Sequence, residues 1–215
     1  HIMHNRLARG LDMFKGYIDP LVEWNRRYLQ VAAVVTTDFS EPRGPLAYNI
    51  SDEELSKLVA YLEERGVKPE LQMYAHGSLE RIRHALLSNG NGVKRPFWIN
   101  LHLGKHHSPP VSHDPLSYLE VINWYHYVKT DLANENVVLG IYVGGRNWLP
   151  LTALAVMMGA DVVRVGMEDC LYMYPHKDDI IDSNAACVEK IVRISEQLGR
   201  PVATQDETRQ ILGLN

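Results

Sequence analysis

From residue 29 to the carboxyl end, apolar runs of strand length alternate with segments of helical period. Residues 29–39 (LQVAAVVTTDF) read as a first buried strand. Residues 51–66 read as a helix, with Ser51 and Glu54 at capping-box spacing and Gly66 as its stop. The pattern then predicts a strand from Glu70 (ELQMYA), a helix over 78–90 ending at Gly90, and a buried strand over 96–104 (PFWINLHLG). A polar loop, 105–115, leads to a helix over 117–133. VVLGIYV from Val137 and DVVRVG from Asp161 read as the fourth and fifth strands. Residues 183–200 are amphipathic at helical spacing, and a short last helix over 204–213 has Thr204 as its cap.

Five strands separated by helices, joined by short strand-to-helix turns, predict an α/β fold with a parallel sheet and right-handed crossovers. A doubly wound sheet normally carries a glycine fingerprint after its first strand, and residues 29–50 contain none. The repetition fits a (β/α)8 TIM barrel better, with this chain covering about the last five β/α units of a single domain over residues 1–215. An arc of five strands leaves two apolar edges. Something outside these residues is therefore expected to complete it: the rest of a longer enzyme of which this is a fragment, a second chain of a split enzyme, or another copy, and an oligomer is expected in each case.

Candidate chemistry gathers in residues 137–170. In α/β enzymes the reacting groups stand at the carboxyl ends of the strands, which is where Arg164, Glu168 and Asp169 fall. Arg164 and Glu168 can face the same mouth only if the chain bends at Gly166, which has no Cβ to forbid it. Gly144, Gly145 and Arg146 form a turn whose free amides favour an anion. Thr36 and Thr37 end the first strand. His102 lies in the third strand and could approach a metal, while His106 and His107 follow in the loop. Cys170 is read as a small buried filler, and Trp24, Trp98, Trp124 and Trp148 as packing residues.

Composition narrows the classes. A net charge of −4 gives no electrostatic reason to expect nucleic acid or an anionic membrane as partner. The first residues lack a signal-peptide core, and no apolar run reaches the roughly 20 residues that span a bilayer. Two cysteines are too few for a disulfide framework and fit a reducing, cytoplasmic setting.

Two segments carry a family resemblance: GRNWLPLTALAVMMGADVVRVGMEDCLYMYP from Gly145, and SNAACVEKIVRISEQLGRPVATQDETRQILGL from Ser183. They resemble the carboxyl-terminal part of the β-keto acid cleavage enzymes, whose pattern runs glycine-arginine, R-V-G-x-E-D-N, S-N-A-x-x-V and A-T-x-x-E-x-R-x-I-L-G-L. A weaker similarity extends upstream to about residue 30. The resemblance implies a zinc-dependent (β/α)8 enzyme that uses acetyl-CoA to split a β-keto acid into acetoacetate and a new CoA thioester. It implies Glu168 as a zinc ligand beside an early H-x-H motif, Asp169 and Arg164 as the catalytic pair, and Thr36, Thr37 and Arg146 as substrate contacts. Cys170 stands where the family pattern has asparagine, Gln72 where a carboxylate is frequent, and no H-x-H occurs in the chain. The remaining zinc ligands would then come from outside these residues. The alternative is a catalytically silent subunit or fragment that pairs with itself or with a complete homologue.

Overall fold

Ser51 accepts a hydrogen bond from the Glu54 amide while the Glu54 carboxylate accepts from the Ser51 amide, so helix α2 (Asp52–Glu64) opens on the box its sequence predicts. A computed structural model describes residues 11–25, 29–40, 47–87, 93–104 and 116–214. The elements run α1 (Leu11–Asn25), β1 (Val31–Val35), β2 (Phe39–Ser40), β3 (Ala47–Tyr48), α2, β4 (Lys68–Met73) and α3 (Gly77–Ile82). A π turn (Arg83–Leu87), β5 (Phe97–Leu103), α4 (Leu116–Asp131), β6 (Val137–Val143) and α5 (Trp148–Met158) follow. The chain ends with β7 (Val162–Arg164), α6 (Asn184–Gln197) and α7 (Gln205–Leu212).

Strands β1, β4, β5, β6 and β7 form one parallel sheet in that order. Side chains alternate across it with period two. Val34, Leu71, Met73, Ile99, Leu101, Leu139 and Ile141 enter the same apolar core as Leu55 and Leu62 of α2, Val121 and Trp124 of α4, and Leu151 and Ala155 of α5. The helices thus share one face of the sheet, as in the outer ring of a barrel. The opposite, inner face presents Glu70, Gln72, Asn100 and His102, all buried. Burying polar groups is costly without partners, and Asn100 Nδ2 accordingly donates to Glu70 Oε1.

Several boundaries differ from the sequence reading. The first strand stops at Val35 instead of residue 39; the Thr36 amide still donates to the Gln72 carbonyl at 3.1 Å, and beyond it the Thr37 hydroxyl accepts from the Tyr74 amide. The strand expected from Glu70 begins at Lys68. The helix expected over 78–90 ends as α3 plus the π turn at Leu87 among the described residues. Helix α1 and the two-residue β2–β3 pair were not anticipated. Trp24, read as a packing residue, is 73% exposed; Trp124 and Trp148 are buried as expected. No helix among the described residues is long and apolar enough to cross a membrane.

Charged ties hold the periphery. The Tyr61 hydroxyl donates to Asp19 Oδ1 at 2.6 Å, and the Arg65 guanidinium pairs with the same carboxylate 4.0 Å above the Tyr61 ring, docking α1 on α2. Arg81 grips Asp38 through two bonds of 2.8 and 2.9 Å, while Asp38 Oδ1 also accepts from the Ile50 amide. The Arg81 contact holds the Asp38 carboxyl below its ordinary pKa. A carboxylate depressed in the folded state stabilises fully above its unfolded pKa, and that contribution is lost as pH falls through the lower folded value. Asp38→Asn is therefore expected to cost about 1 kcal/mol near neutrality, a magnitude discounted for solvent screening. Thermal unfolding compared at pH 7 and in acid should show the gap from wild type closing once the native carboxyl protonates.

Candidate active site

Four side chains line up across the carboxyl ends of the strands. Register pairs His102 of β5 with Tyr142 of β6, and Tyr142 with Arg164 of β7, so all three project from the same inner layer. Tyr74, just past β4, joins the row. The ring centroids of Tyr74 and His102 lie 4.6 Å apart, those of His102 and Tyr142 5.1 Å, and the Arg164 guanidinium sits 4.6 Å over the Tyr142 ring. Such a cation–π contact contributes about 0.5–2 kcal/mol depending on desolvation, and each ring pair a similar amount. Burial pushes the Tyr74 and Tyr142 hydroxyls well above the ordinary tyrosine pKa, so both stay protonated donors. Tyr74 Oη donates to Gln72 Oε1 at 3.0 Å and Tyr142 Oη to Asp169 Oδ2 at 2.6 Å.

The turn after β7 bends back over this row. Gly166 has φ +151, and a Cβ there would lie 2.9 Å from Asn184 Oδ1, the atom that accepts the Met167 amide at 2.8 Å. The bend returns Glu168 onto Arg164, with which it forms an ion pair. Next along, the Asp169 carbonyl accepts from the Gly145 amide at 2.8 Å, and a Cβ on Gly144 would meet Asp169 Cβ at 3.1 Å. The Gly-Gly-Arg turn and the Glu-Asp pair are thus interlocked, and only the bare backbone at 144 allows that approach. Cys170 is buried with its sulfur toward the Val143 carbonyl, 3.8 Å away, which suits a filler.

The remaining predicted residues are dispersed around this centre. The Thr36 hydroxyl is buried and donates to the Gln72 carbonyl at 2.9 Å. The Thr37 hydroxyl accepts from the Tyr74 amide at 3.1 Å and hydrogen-bonds with the Ser78 hydroxyl. Arg146 turns toward the loop after β7, donating to the carbonyls of Pro175 and Lys177 at 2.9 Å each, pairing with Asp178 and covering the Tyr172 ring at 4.0 Å. His106 and His107 lie outside the described residues.

Below the row, a cavity of about 730 Å³ runs along β7. Trp98, Asn100, Arg164 and Glu168 line it on the inner face, and Val163 and Val188 on the helix side. Trp98 Nε1, Asn100 Oδ1 and Arg164 Nη1 are buried there without a hydrogen-bond partner. Gly140 makes room for two of them: a Cβ at that position would sit 2.9 Å from Asn100 Oδ1 and 3.2 Å from Trp98 Nε1. Sequence reasoning missed Tyr74, Trp98, Asn100 and Tyr142. Period-two parity with the polar Gln72 and His102 of the same strands would have pointed to Tyr74, Trp98 and Asn100.

A sequence model of the β-keto acid cleavage enzymes matches residues 23–214 of this chain. The chain belongs to that family. It is 34% identical over 154 residues to a 3-keto-5-aminohexanoate cleavage enzyme of Fusobacterium nucleatum, a match covering 71% of this chain and 50% of the relative. It is 28% identical over 158 residues to a 3-oxoadipate:acetyl-CoA acetyltransferase of Cupriavidus necator, covering 73% of the chain and 51% of the relative. A solved complex of ObcA with oxaloacetate shares the fold, with TM-score 0.66 and 18% identity over 86% of this chain and 46% of the other. This member of the β-keto acid cleavage family therefore spans about half the length of the curated relatives it matches. Its five-stranded sheet is part of a (β/α)8 barrel.

Zinc can be tested against the residues of this β-keto acid cleavage family member. Three nitrogen, sulfur or oxygen ligands with one open position make a catalytic zinc site. Among the described residues no three His, Cys, Asp or Glu side chains gather as such a set. The Glu168 carboxylate faces Arg164, and His102 is packed between two tyrosine rings. The described residues alone do not form a zinc site.

The geometry of Gly166 yields a direct test. Gly166→Ala is expected to lower stability by more than about 1 kcal/mol, since its φ is positive and its Cβ would strike Asn184. Gly77→Ala, a helical position with nothing within 4 Å of the new carbon, should be neutral or stabilising in the same urea titration.

Proposed function

We propose that this chain supplies the Arg164–Glu168–Asp169 wall of an enzyme that transfers acyl groups between a β-keto acid and acetyl-CoA. The single observation that carries the reading is the return of Glu168 and Asp169 over Arg164 at the strand ends, beside an Arg164 nitrogen that is buried without a partner. Membership of the family and the acetyl-CoA transferase names of its relatives support it.

In this reading R–CO–CH2–COO⁻ and acetyl-CoA give acetoacetate and R–CO–S-CoA. Asp169 removes a proton from the methylene between the two carbonyls, and the resulting carbanion attacks the acetyl thioester carbon, releasing CoA thiolate. The thiolate then adds to the original ketone carbon, the bond to the former methylene carbon breaks, and the acetoacetate carbanion takes the proton back from Asp169. Arg164 offers its buried Nη1 to the substrate carboxylate or to the developing oxyanion, where a preorganised donor away from water is most effective. Thr37, at the rim of the same row, is a proposed substrate contact, with Thr36 behind it. Arg146 takes part by holding the loop that borders the mouth. Zinc enters this reading only with Glu168 as one ligand and the others supplied from outside the described residues.

Acetoacetate formation from acetyl-CoA and a panel of β-keto acids is the decisive assay. Arg164→Lys should lower kcat/KM about 100-fold or more, because an ammonium does not reproduce the planar donor pair. An assembly that includes the part supplying the other ligands should contain zinc that Glu168→Gln removes. Absence of acetoacetate with every keto acid offered would reject the reading.

Completion of the barrel belongs to the same proposal. Among the described residues β7 pairs only with β6, and the cavity beside it is lined by residues of both faces of the sheet, which leaves a slot for one further strand. A strand laid there would direct alternate residues toward Trp98 and Asn100 and toward Val163 and Val188. We infer that this strand is supplied from outside residues 1–215, and that in the chain as it stands a second copy takes its place at this edge. Val188 is 49% exposed on α6, so Val188→Lys should leave the fold intact while reducing the particle from an oligomer to the 24.5 kDa chain. Light scattering decides it, and a wild-type monomer at micromolar concentration would exclude such assembly.

A further inference from the structure

We propose that Tyr142 positions both members of the pair assigned to the chemistry above: its ring carries the Arg164 guanidinium and its hydroxyl carries the Asp169 carboxylate. The inference rests on that functional reading and adds to it a residue that no motif contains.

Tyr142 stands opposite Arg164 in the β6–β7 register, so its ring and the guanidinium extend from neighbouring strands on the same side of the sheet. They meet at 4.6 Å. On its other side the ring is backed by His102 at 5.1 Å, and His102 by Tyr74 at 4.6 Å. With 1% exposure and neighbours on both sides, the ring cannot swing without moving one of them. Its hydroxyl reaches past the arginine to Asp169 Oδ2 at 2.6 Å. A single rigid side chain thereby fixes two charges that lie five residues apart and on either side of a glycine bend. Guanidinium and carboxylate are long or freely rotating groups, and holding them in a reactive arrangement is a separate requirement from supplying them. Tyr142 acts through them and is a positioning residue.

Tyr142→Phe isolates the hydroxyl, since it keeps the ring and its stacking. In the purified protein, with its complete set of chains and saturating acetyl-CoA, kcat for acetoacetate formation is expected to fall about 10- to 100-fold, with the KM for the keto acid little changed. The Asp169→Asn background gives the second measurement. If the hydroxyl works through Asp169, adding Tyr142→Phe to Asp169→Asn produces no further loss, whereas a general effect on the fold would appear in both backgrounds. Wild-type kcat in Tyr142→Phe, an equal loss in both backgrounds, or a Tyr142→Phe chain that no longer folds would each overturn the assignment while leaving the functional reading in place. A wild-type protein that forms no acetoacetate would instead remove the reading and this inference with it.

Discussion

The stacking of Arg164 on Tyr142 joins the architecture to the chemistry. Arg164 is the last residue of the last strand, where a long side chain would otherwise sweep through solvent. The flat ring beside it, backed in turn by His102 and Tyr74, gives the guanidinium a surface to lie on. Once that cation is fixed, Glu168 has a partner to fold back onto, and the bend at Gly166 becomes the path of the turn. The row needs strands in parallel register, and the register in turn needs an apolar core on the helix side of the sheet. The order of dependence therefore runs from the Leu, Ile and Val positions, through the pleat, to the strand ends.

The two faces of the sheet show how polar and apolar demands were separated. Helices α2, α4 and α5 cover one face with aliphatic and aromatic side chains. The other carries Glu70, Gln72, Asn100 and His102, which an ordinary core would exclude. Part of their hydrogen-bonding demand is met by the Asn100–Glu70 and Tyr74–Gln72 contacts. Unpartnered atoms remain on Trp98, Asn100 and Arg164, facing the cavity along β7. Polar groups left in this condition cost about 1–3 kcal/mol each, a standing preference for something to enter that space.

Much of this arrangement was legible in the sequence where chemistry and spacing coincide. The capping box at Ser51, the cap at Thr204, the stop at Gly66 and the bend between Arg164 and Glu168 all rest on local rules that a short window contains. Helix α1 was missed because Pro20 interrupts its pattern and Trp24 lies on its exposed side, so the periodicity is blurred. Strands β2 and β3 have two residues each, too few for any period. Tyr142 escaped for a different reason. It lies in VVLGIYV, a run apolar at nearly every position, and only the pairing with Arg164 tells which residues face inward. Two of the partners of Arg146 are main-chain carbonyls about thirty residues away, and a carbonyl leaves no trace in the amino-acid alphabet.

That last contact bears on how the molecule can vary. Arg146 clasps the peptide oxygens of Pro175 and Lys177, so two of its tethers recognise the course of the backbone and ignore which side chains hang from it. Substitutions at those two positions that keep the same trace leave the clasp intact. Lengthening the segment by one residue shifts both oxygens out of reach. The rim beside the Glu-Asp doublet is accordingly tolerant of new amino acids and intolerant of insertions, so that diversity can accumulate at the entrance while its outline stays fixed.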